Sequence, residues 1–386
     1  MVTAAQPLAP PTVRTSRPRA AAVRHLGPNW YASVMGTAIV ATAGAGLPSR
    51  PAAGLPGDLP GLRTACTAFW ALSLIMLVTL LGARALHWMH HRDQARAHLL
   101  DPTTGPTTAP FYGCLAMALL AVGGATLTVG RDWLGTTAAV ALDAVLFTAG
   151  TAVGLAAAVA VPYLMVTRHR IEPSQATPVW LLPLVAPMVS AALGPLLVPH
   201  LPAGQPRETL LLACVAMFGL SLLGTLMMLP MIVARLITTG PLPLVLTPTL
   251  FLVLGPLGQS TTAVGKFADF APGVVPAPYD QGFGVLAVLY GVPVMGFALL
   301  WLGLAVALVV RARRRGLGFA LTWWAFTFPI GTCVTGAEAL ARHTGLAAFD
   351  GLAVALYAAL VTAWAVTAAR TAHGLVTGEL LAPPRR

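Results

Sequence analysis

The segment "GPLGQSTTAVGKF", residues 255–267, interrupts a long apolar stretch with glycines, a proline and four consecutive polar residues. Helices that face lipid consist mainly of large apolar residues, whereas small and polar residues are typical of tightly packed or cavity-lining helices. Non-helical backbone at membrane depth is tolerated only where it is buried in protein or borders a watery cavity. The segment therefore predicts an interrupted helix beside an internal pathway.

The composition of the whole chain is that of an integral membrane protein. Hydrophobic residues make up 57% of the 386 residues and charged residues only 9%, against about a quarter charged in a soluble domain. Apolar runs of about 20 residues recur, the length that a helix needs to cross a hydrocarbon core of about 30 Å. The predicted fold class is all-α and membrane-spanning.

About ten transmembrane spans are predicted, joined by short connections. They cover residues 28–47, 64–86, 110–130, 137–163, 178–199, 208–234, 243–265, 282–310, 319–341 and 346–369. Residues 28–370 form the transmembrane domain in this interpretation. Residues 1–27, rich in proline, alanine and arginine, are expected to be a disordered cytoplasmic tail, and residues 371–386 a second cytoplasmic tail.

The lysines and arginines are distributed unequally between the two sides of the predicted membrane domain. With the N-terminus in the cytoplasm, most of the 23 lysines and arginines fall on the inner side. The outer side holds only Arg50, Arg63, Arg131, Arg207, Lys266 and Arg342. The positive-inside rule therefore predicts that both termini are cytoplasmic. The expected location is the plasma membrane. Topology and contact with anionic lipid then explain the net charge of +11, without nucleic-acid binding.

The predicted spans alternate in composition. Odd-numbered spans contain small and polar stretches such as "SVMGTAIVATAGAG" (33–46), whereas even-numbered spans contain apolar stretches such as "FWALSLIMLVTLLGA" (69–83). This alternation predicts five hairpins with the odd helices inside and the even helices outside. Close helix packing alone would also favour small residues, but prolines and glycines near the middle of odd spans favour a central pathway.

The residues predicted to line this pathway are small, polar or helix-breaking members of the odd spans. They are Gly36, Thr37, Gly123, Gly124, Pro187, Ser190, Pro256, Gly258, Gln259, Ser260, Thr261, Pro329 and Thr332. A helix that restarts after Pro256 would point the free amides of Gly258 and Gln259 into the pathway, and such a helix N-terminus attracts anions. Because charged residues are nearly absent from the spans, the pathway wall is predicted to be neutral.

Three charged residues are candidates for acting on a passing solute. Lys266, just beyond the polar run, would draw anions to the outer mouth, although an ordinary interfacial lysine is an equally good interpretation. Asp143 and Glu338 are candidates for ion coupling, because a carboxylate within a membrane is costly to bury. The nine histidines fall in loops or at span ends, where none can pair with another as haem ligands. No cofactor, metal site or enzyme activity is expected.

Three stretches of the chain resemble the tellurite-resistance/dicarboxylate transporter family, which includes malate permeases, sulfite exporters, tellurite-resistance proteins and plant slow anion channels. They are "GPNWYASVMGTAIVA" (27–41), "GPLGQS" (255–260) and "WWAFTFPIGT" (323–332). The resemblance implies five hairpins around a central pore, as in the voltage-dependent anion channel superfamily, within a homotrimer. It also implies that a phenylalanine before the proline of the ninth span blocks the pore; Phe328 matches it, and Phe326 is the fallback.

The predicted function is membrane transport of a small inorganic or organic anion through a pore gated by phenylalanine. Sulfite, a C4-dicarboxylate such as malate, tellurite and a halide-like ion are all compatible with the sequence. One alternative is a proton-coupled C4-dicarboxylate carrier that uses Asp143 or Glu338. Another, from a different class, is a membrane redox or cofactor-binding subunit.

Overall fold

The structure, a computed structural model, describes Arg24 and residues 26–47 and 61–381. Most of the predicted N-terminal tail, the end of the predicted C-terminal tail and Arg50 lie outside the described residues. Helices make up nearly all of the described chain, and it contains no strand. The predicted all-α fold class is confirmed.

Ten principal helices in the described chain follow the order of the ten predicted spans. Their bounds are Tyr31–Gly46 (α1), Leu62–His90 (α2), Tyr112–Ala125 (α3), Thr136–Thr167 (α4), Leu182–Leu193 (α5), Gln205–Thr239 (α6), Leu254–Phe270 (α7), Tyr279–Arg314 (α8), Phe328–Thr344 (α9) and Ala347–Val376 (α10). Short helices flank α3 or follow α2, at Arg92–Leu100, Gly105–Thr108 and Arg131–Leu134. Several helices run past the predicted limits; α10, for example, continues to Val376.

Each odd-numbered helix is preceded by a segment of 3₁₀-helix. These segments are Pro28–Trp30, Ala109–Phe111, Pro178–Leu181, Leu244–Val253 and Leu321–Phe326. Four of the five contain proline, which has no amide hydrogen and is favoured where a helix begins. Each inner helix therefore begins with a more tightly wound 3₁₀ segment and continues as a wider α-helix.

The number of complete spans is smaller than the prediction of about ten. Eight helical stretches in the described chain are long and apolar enough to cross a membrane. Helices α1 and α9 have only 16 and 17 residues. At 1.5 Å per residue α1 covers about 24 Å, and the 3₁₀ segment before it adds about 6 Å. The ten predicted spans thus comprise five long outer helices and five inner helices that need their flanking helical segments, and with those segments three of the inner five also reach spanning length.

The odd-numbered helices form the interior and the even-numbered helices surround them. In the most apolar windows of the stretches containing α3, α5 and α7, 78–89% of the residues are buried, against 22–33% in the even-numbered helices. Helices α1 and α9 are buried over most of their length. The inner helices make a closed ring in the order α1, α3, α5, α7, α9 and back to α1, and each packs against the outer helix that follows it. The predicted arrangement of hairpins is confirmed.

Helix α7 does not contain the break predicted after Pro256. The 3₁₀ segment passes directly into α-helix at Leu254, so Pro256 lies in the first α-helical turn, where its missing amide hydrogen is tolerated. Gly258 and Gln259 follow that turn, and α-helical geometry pairs their amides with carbonyls four residues earlier. The prediction of free amides at these two residues was therefore wrong, because a change of helix type replaces the expected gap.

Candidate functional site

A cavity of about 500 Å³ lies within the ring of inner helices, and we call it the vestibule. All five inner helices contribute to its wall. Along α9 the vestibule extends from Phe328 in the first turn to Arg342 in the last turn, a distance of about 21 Å. It therefore occupies the α-helical part of the ring, beyond the 3₁₀ segments.

The vestibule has one apolar wall and one polar wall. The mainly apolar wall is formed by α1, α3, α5, the π-helical turn Thr126–Gly130 after α3 and the 3₁₀ segment Gly194–His200 after α5. Its apolar residues are Ile39, Ala121, Leu127, Val189, Leu193 and Leu196. The polar wall is formed by α7 and α9, with Gln259, Thr262, Lys266, Thr335, Glu338 and Arg342. Thr42, Thr128, Arg131 and His200 add polar groups on the other side, so the side formed by α7 and α9 holds many, but not all, of the hydrogen-bonding and charged groups that a solute would meet.

The same helical spacing produces the polar wall on both helices. On α7 the wall residues are Gln259, Thr262 and Lys266, and on α9 they are Thr335, Glu338 and Arg342. In both sets the second and third residues follow the first by three and seven positions, which places all three on one helix face. Sequence reasoning missed Thr262, Thr335 and the vestibule position of Arg342. Continuing this spacing from Gln259 and from Phe328 would have found them.

Close packing of α7 against α9 holds the polar wall together. The Oγ1 atoms of Thr262 and Thr335 lie 2.7 Å apart, so the two hydroxyl groups form a hydrogen bond in which either can be the donor. Thr332 Oγ1 donates to the carbonyl of Pro329 at 2.7 Å and approaches that of Leu254 at 3.3 Å. A Cβ placed on Gly258 would lie only 2.5 Å from the backbone nitrogen of Cys333. Glycine at this position therefore allows the two helices to approach within backbone contact.

Four cationic side chains surround the solvent-exposed end of the vestibule, which corrects the prediction of a neutral wall. They are Arg63, Arg131, Lys266 and Arg342. Arg63 pairs with Asp132 at 2.6 Å, while Lys266 and Arg342 both lie near Asp269, at 3.7 and 3.4 Å. The charge distribution predicts all four cations on the outer side of the membrane domain, and the fold brings them together at one mouth.

Phe328 lies at the buried end of the vestibule, opposite the cations. It is the first residue of α9, and Thr327 alone separates it from the preceding 3₁₀ segment. Thr327 Oγ1 donates to the carbonyl of Trp324 at 2.8 Å, and Pro329 occupies the first turn of α9. The Phe328 side chain is only 2% exposed. These constraints place its ring where the vestibule meets the 3₁₀ part of the ring.

Phe326, the fallback gate, lies in a different place. Its ring packs edge-on against Phe251, with centroids 4.8 Å apart, and against Trp323 at 5.7 Å. It borders a separate cavity between the 3₁₀ segment Leu321–Phe326 and α10. Phe326 does not line the vestibule.

Several residues predicted to line the pathway lie instead at contacts with outer helices. Thr37 accepts a hydrogen bond from Trp364 Nε1 of α10 at 3.0 Å, and Ser190 accepts one from Thr151 of α4 at 2.9 Å. Pro256 and Ser260 border a lateral cavity of about 330 Å³ together with residues of α6 and α8. These residues are polar or helix-breaking as predicted, but the rotation of their helices turns them away from the vestibule.

The remaining predicted residues lie between inner helices or within them. Gly36 packs against Trp324 and Thr327, and Gly124 packs against Leu193. Thr261 lies near Gly291 and Gly336, and Pro187 is buried in α5. The contact between α7 and α9 contains Gly258, Pro329 and Thr332. The vestibule wall therefore contains Phe328, Gln259, Lys266 and Glu338 from the predicted set.

The two candidate coupling carboxylates have different surroundings. Asp143 of α4 is buried against Gly123 of α3 and does not line the vestibule. Glu338 of α9 is also buried but borders the vestibule, where it packs against Gly46 at the end of α1. Of the two, Glu338 is placed to act on a solute.

The fold and the vestibule define a class of protein. A ring of five buried helices, enclosed by apolar outer helices and bearing cations at one mouth, is the architecture of a membrane transport protein for anions. The family described as voltage-dependent anion channel matches residues 25–372. The chain belongs to this family, whose members are anion transporters and channels.

Individual relatives match over nearly the whole chain. An uncharacterized transporter of Methanocaldococcus jannaschii is 26% identical over 361 residues, which cover 93% of this chain and 96% of the relative. The sulfite efflux pump SSU1 of Trichophyton rubrum is 26% identical over 365 residues, which cover 93% of each chain, and that of Arthroderma otae matches to the same extent. These relatives are transport proteins rather than enzymes, which argues against the redox-subunit alternative.

Proposed function

We propose that this protein conducts small oxygen-bearing anions, with sulfite as the first candidate, along the axis of the inner ring and past Phe328. The observation that carries the proposal is the vestibule itself, which bears exposed cations at one end and reaches the buried ring of Phe328 at the other. The sulfite efflux pumps among the relatives support the choice of sulfite. Malate, tellurite and halides are the competing substrates.

The cations favour anions in a specific way. Arg131 has no ion pair among the described residues, whereas Arg63, Lys266 and Arg342 share two aspartates. The mouth therefore keeps a small excess of positive charge. Such a charge at an opening raises the local concentration of anions. A narrow apolar constriction beyond it can block an ion that is not yet dehydrated.

Flux measurements on purified protein in liposomes test the substrate. Sulfite, malate, chloride and tellurite are compared side by side, each with and without a pH gradient. We expect sulfite flux well above that of protein-free liposomes and above that of malate. Flux of none of the four anions above the protein-free level would refute the proposal.

Removal of the Arg131 charge tests the role of the mouth. Arg131→Gln is expected to lower anion flux about two- to threefold at low ionic strength, because it removes one attractive charge without leaving a paired carboxylate behind. The effect should disappear at high salt, where charges are screened within a few ångströms. The matched control is Arg314→Gln, an exposed arginine at the C-terminal end of α8. Equal losses in both variants, or a loss that persists in high salt, would argue against electrostatic attraction at the mouth.

A proton-coupled carrier for C4-dicarboxylates is the second candidate function. The position of Glu338 in the vestibule favours it, since coupling requires a titratable group in the path. In that case an inward proton gradient should drive malate uptake, and Glu338→Gln should abolish the dependence on the gradient. Asp143→Asn should leave it intact, because Asp143 lies outside the vestibule. Malate flux that ignores the pH gradient in the wild-type protein would exclude this candidate.

The membrane arrangement is part of the same proposal. We propose a plasma-membrane homotrimer with both termini in the cytoplasm, supported by the distribution of positive charge in the sequence and by the family resemblance. The vestibule would then open to the outside. Accessibility of single cysteines introduced at Arg131 and Arg314 to a membrane-impermeant reagent tests the orientation, because only the outer one should react in intact cells.

A further inference from the structure

One carboxylate joins the C-terminal ends of α7 and α9 at the mouth of the vestibule. Asp269 of α7 lies 3.7 Å from Lys266 Nζ on the same helix, and on α9 it lies 3.4 Å from Arg342 and 3.1 Å from His343 Nε2. The four side chains are 20% to 42% exposed, so solvent and solutes can reach them. These distances place four charged or titratable groups at one point, and we call them the mouth cluster.

Two members of the mouth cluster line the vestibule directly. They are Lys266 and Arg342, whereas Asp269 and His343 are not part of its wall. Because Asp269 contacts both lining cations, its negative charge offsets part of the attraction that they exert on an anion. His343 lies next to the same carboxylate, so any charge on its ring is added to this group.

Close packing of α7 and α9 holds the His343 ring in place. A Cβ on Gly265 would lie only 2.6 Å from the Cβ of Ala339, so the helices touch here without an intervening side chain. His343 Nε2 lies 3.1 Å from the carbonyl of Gly265 as well as 3.1 Å from Asp269 Oδ1. Both neighbours are acceptors, so Nε2 carries a hydrogen whether the ring is neutral or protonated. The second proton therefore binds at Nδ1, and His343 can gain its charge without losing either contact.

The helices packed around α9 carry further charged side chains at this end of the ring. They are Lys266 and Asp269 on α7, Asp280 on α8, Glu338 and Arg342 on α9 itself, and Asp350 on α10. The last turn of α1 carries no titratable side chain. Within the described chain, Asp269 is the carboxylate at ion-pair distance from His343. With neutral His343 the mouth cluster has one net positive charge, and protonation of His343 doubles that charge.

We propose that His343 regulates anion entry, because a proton bound to its ring increases the positive charge of the mouth cluster. This inference rests on the proposed function and deepens it by naming a residue that regulates the same mouth. Histidine is the side chain whose ordinary change of charge falls between about pH 5 and pH 8. Anion entry is therefore faster on the acidic side of this range. The proton stays on His343, so the effect needs no proton gradient.

The test compares sulfite flux through the wild-type protein and His343→Gln in liposomes at low ionic strength. The pH is the same on both sides of the membrane and is set to about 5.5 or about 8, on either side of the titration of histidine. Glutamine keeps an N–H donor for Asp269 but cannot become cationic. The ratio of wild-type to variant flux at each pH cancels the change of sulfite between its singly and doubly charged forms.

We expect this ratio to be close to one at the higher pH and about two at the lower pH. A factor of about two is what Coulomb's law gives for one unit charge about 10 Å from a monovalent anion in water. The difference should vanish at high salt, where charges are screened within a few ångströms.

His343→Arg separates charge from packing, because it fixes a positive charge at this position at every pH. Its flux should exceed that of the wild-type protein about twofold or more at the higher pH, and should be close to it at the lower pH. A residue that served only packing would lower the flux in both His343 variants. A gain of flux in His343→Arg therefore cannot come from damage to the fold.

His90→Gln is the matched control, since it removes an exposed histidine at the other end of α2 and should behave as wild type at both pH values. His200, a histidine of the vestibule wall, is retained in every variant, so it contributes to each flux alike. The inference would be overturned by a wild-type to His343→Gln ratio that is the same at both pH values, or by a lower flux in His343→Arg than in wild type at the higher pH. Absence of any anion flux in the wild-type protein would instead refute the proposed function.

Discussion

Phe328→Ala is expected to raise anion flux about tenfold or more, which corresponds to lowering the barrier by about 1.4 kcal/mol. The ring lies at the end of the vestibule opposite the cations and is almost completely buried. An apolar ring at a constriction keeps water and ions out until it moves. Alanine removes most of that obstruction and leaves Pro329 and the first turn of α9 in place. Single-channel recording in bilayers, or liposome flux under a fixed gradient, measures the change.

A buried phenylalanine can also be ordinary core, and the two roles give different results. Truncation of a core phenylalanine to alanine costs about 3–5 kcal/mol of stability. If Phe328 only packs, the variant should lose thermal stability with no gain in flux. Phe326→Ala is the matched control, since Phe326 borders a lateral cavity, and its flux should stay within about twofold of wild type. A gain in Phe326→Ala without one in Phe328→Ala would move the gate to Phe326.

Gly258→Ala is expected to destabilise the protein by about 1–3 kcal/mol or more, although only one methyl group is added. That methyl group would lie 2.5 Å from backbone atoms of Thr332 and Cys333. Backbone cannot rotate away as a flexible side chain can, so α7 and α9 would have to separate. Their separation would also disturb the hydrogen bond between Thr262 and Thr335 in the polar wall.

Gly296→Ala in α8 is the control for this prediction. A Cβ at Gly296 would have no neighbouring heavy atom within 4 Å, and alanine favours helix over glycine by about 1 kcal/mol. The control should therefore be neutral or slightly stabilising. Heating each detergent-solubilised variant and measuring the fraction that remains monodisperse by fluorescence-detected size-exclusion chromatography compares them. Similar stability of Gly258→Ala and wild type would show that α7 and α9 are less tightly joined than the structure indicates.

Composition was sufficient to predict the arrangement of the helices. Helices that face lipid carry large apolar side chains and helices that face protein carry small or polar ones, so the average composition of a whole span differs between the two. Stretches such as 33–46 and 69–83 therefore identify inner and outer helices without further information. The 3₁₀ segments were not predicted, since proline and glycine signal an irregularity without specifying its form. The supposed gap after Pro256 was an error of this kind.

The wall of the vestibule was harder to predict than the helices that form it. Thr37, Ser190 and Thr262 are all small hydroxyl-bearing residues of inner helices, yet of these only Thr262 borders the vestibule. The difference is the rotation of each helix about its axis, which depends on packing against every neighbour in the ring. The spacing of three and seven positions shared by α7 and α9 indicates which face of each helix lines the vestibule. It identifies that face only once one lining residue, Phe328 or Gln259, is known.

The lengths of the two sets of helices have a consequence for how the protein responds to its lipid environment. The outer helices contain 29 to 36 residues, whereas about 20 suffice to cross a bilayer. Such helices can adapt to thinner or thicker membranes by tilting. The surrounding outer helices shield most of the short inner helices from lipid. Changing the acyl-chain length of the lipid should therefore change the tilt of the outer helices, while the diameter of the passage inside the inner ring stays nearly constant.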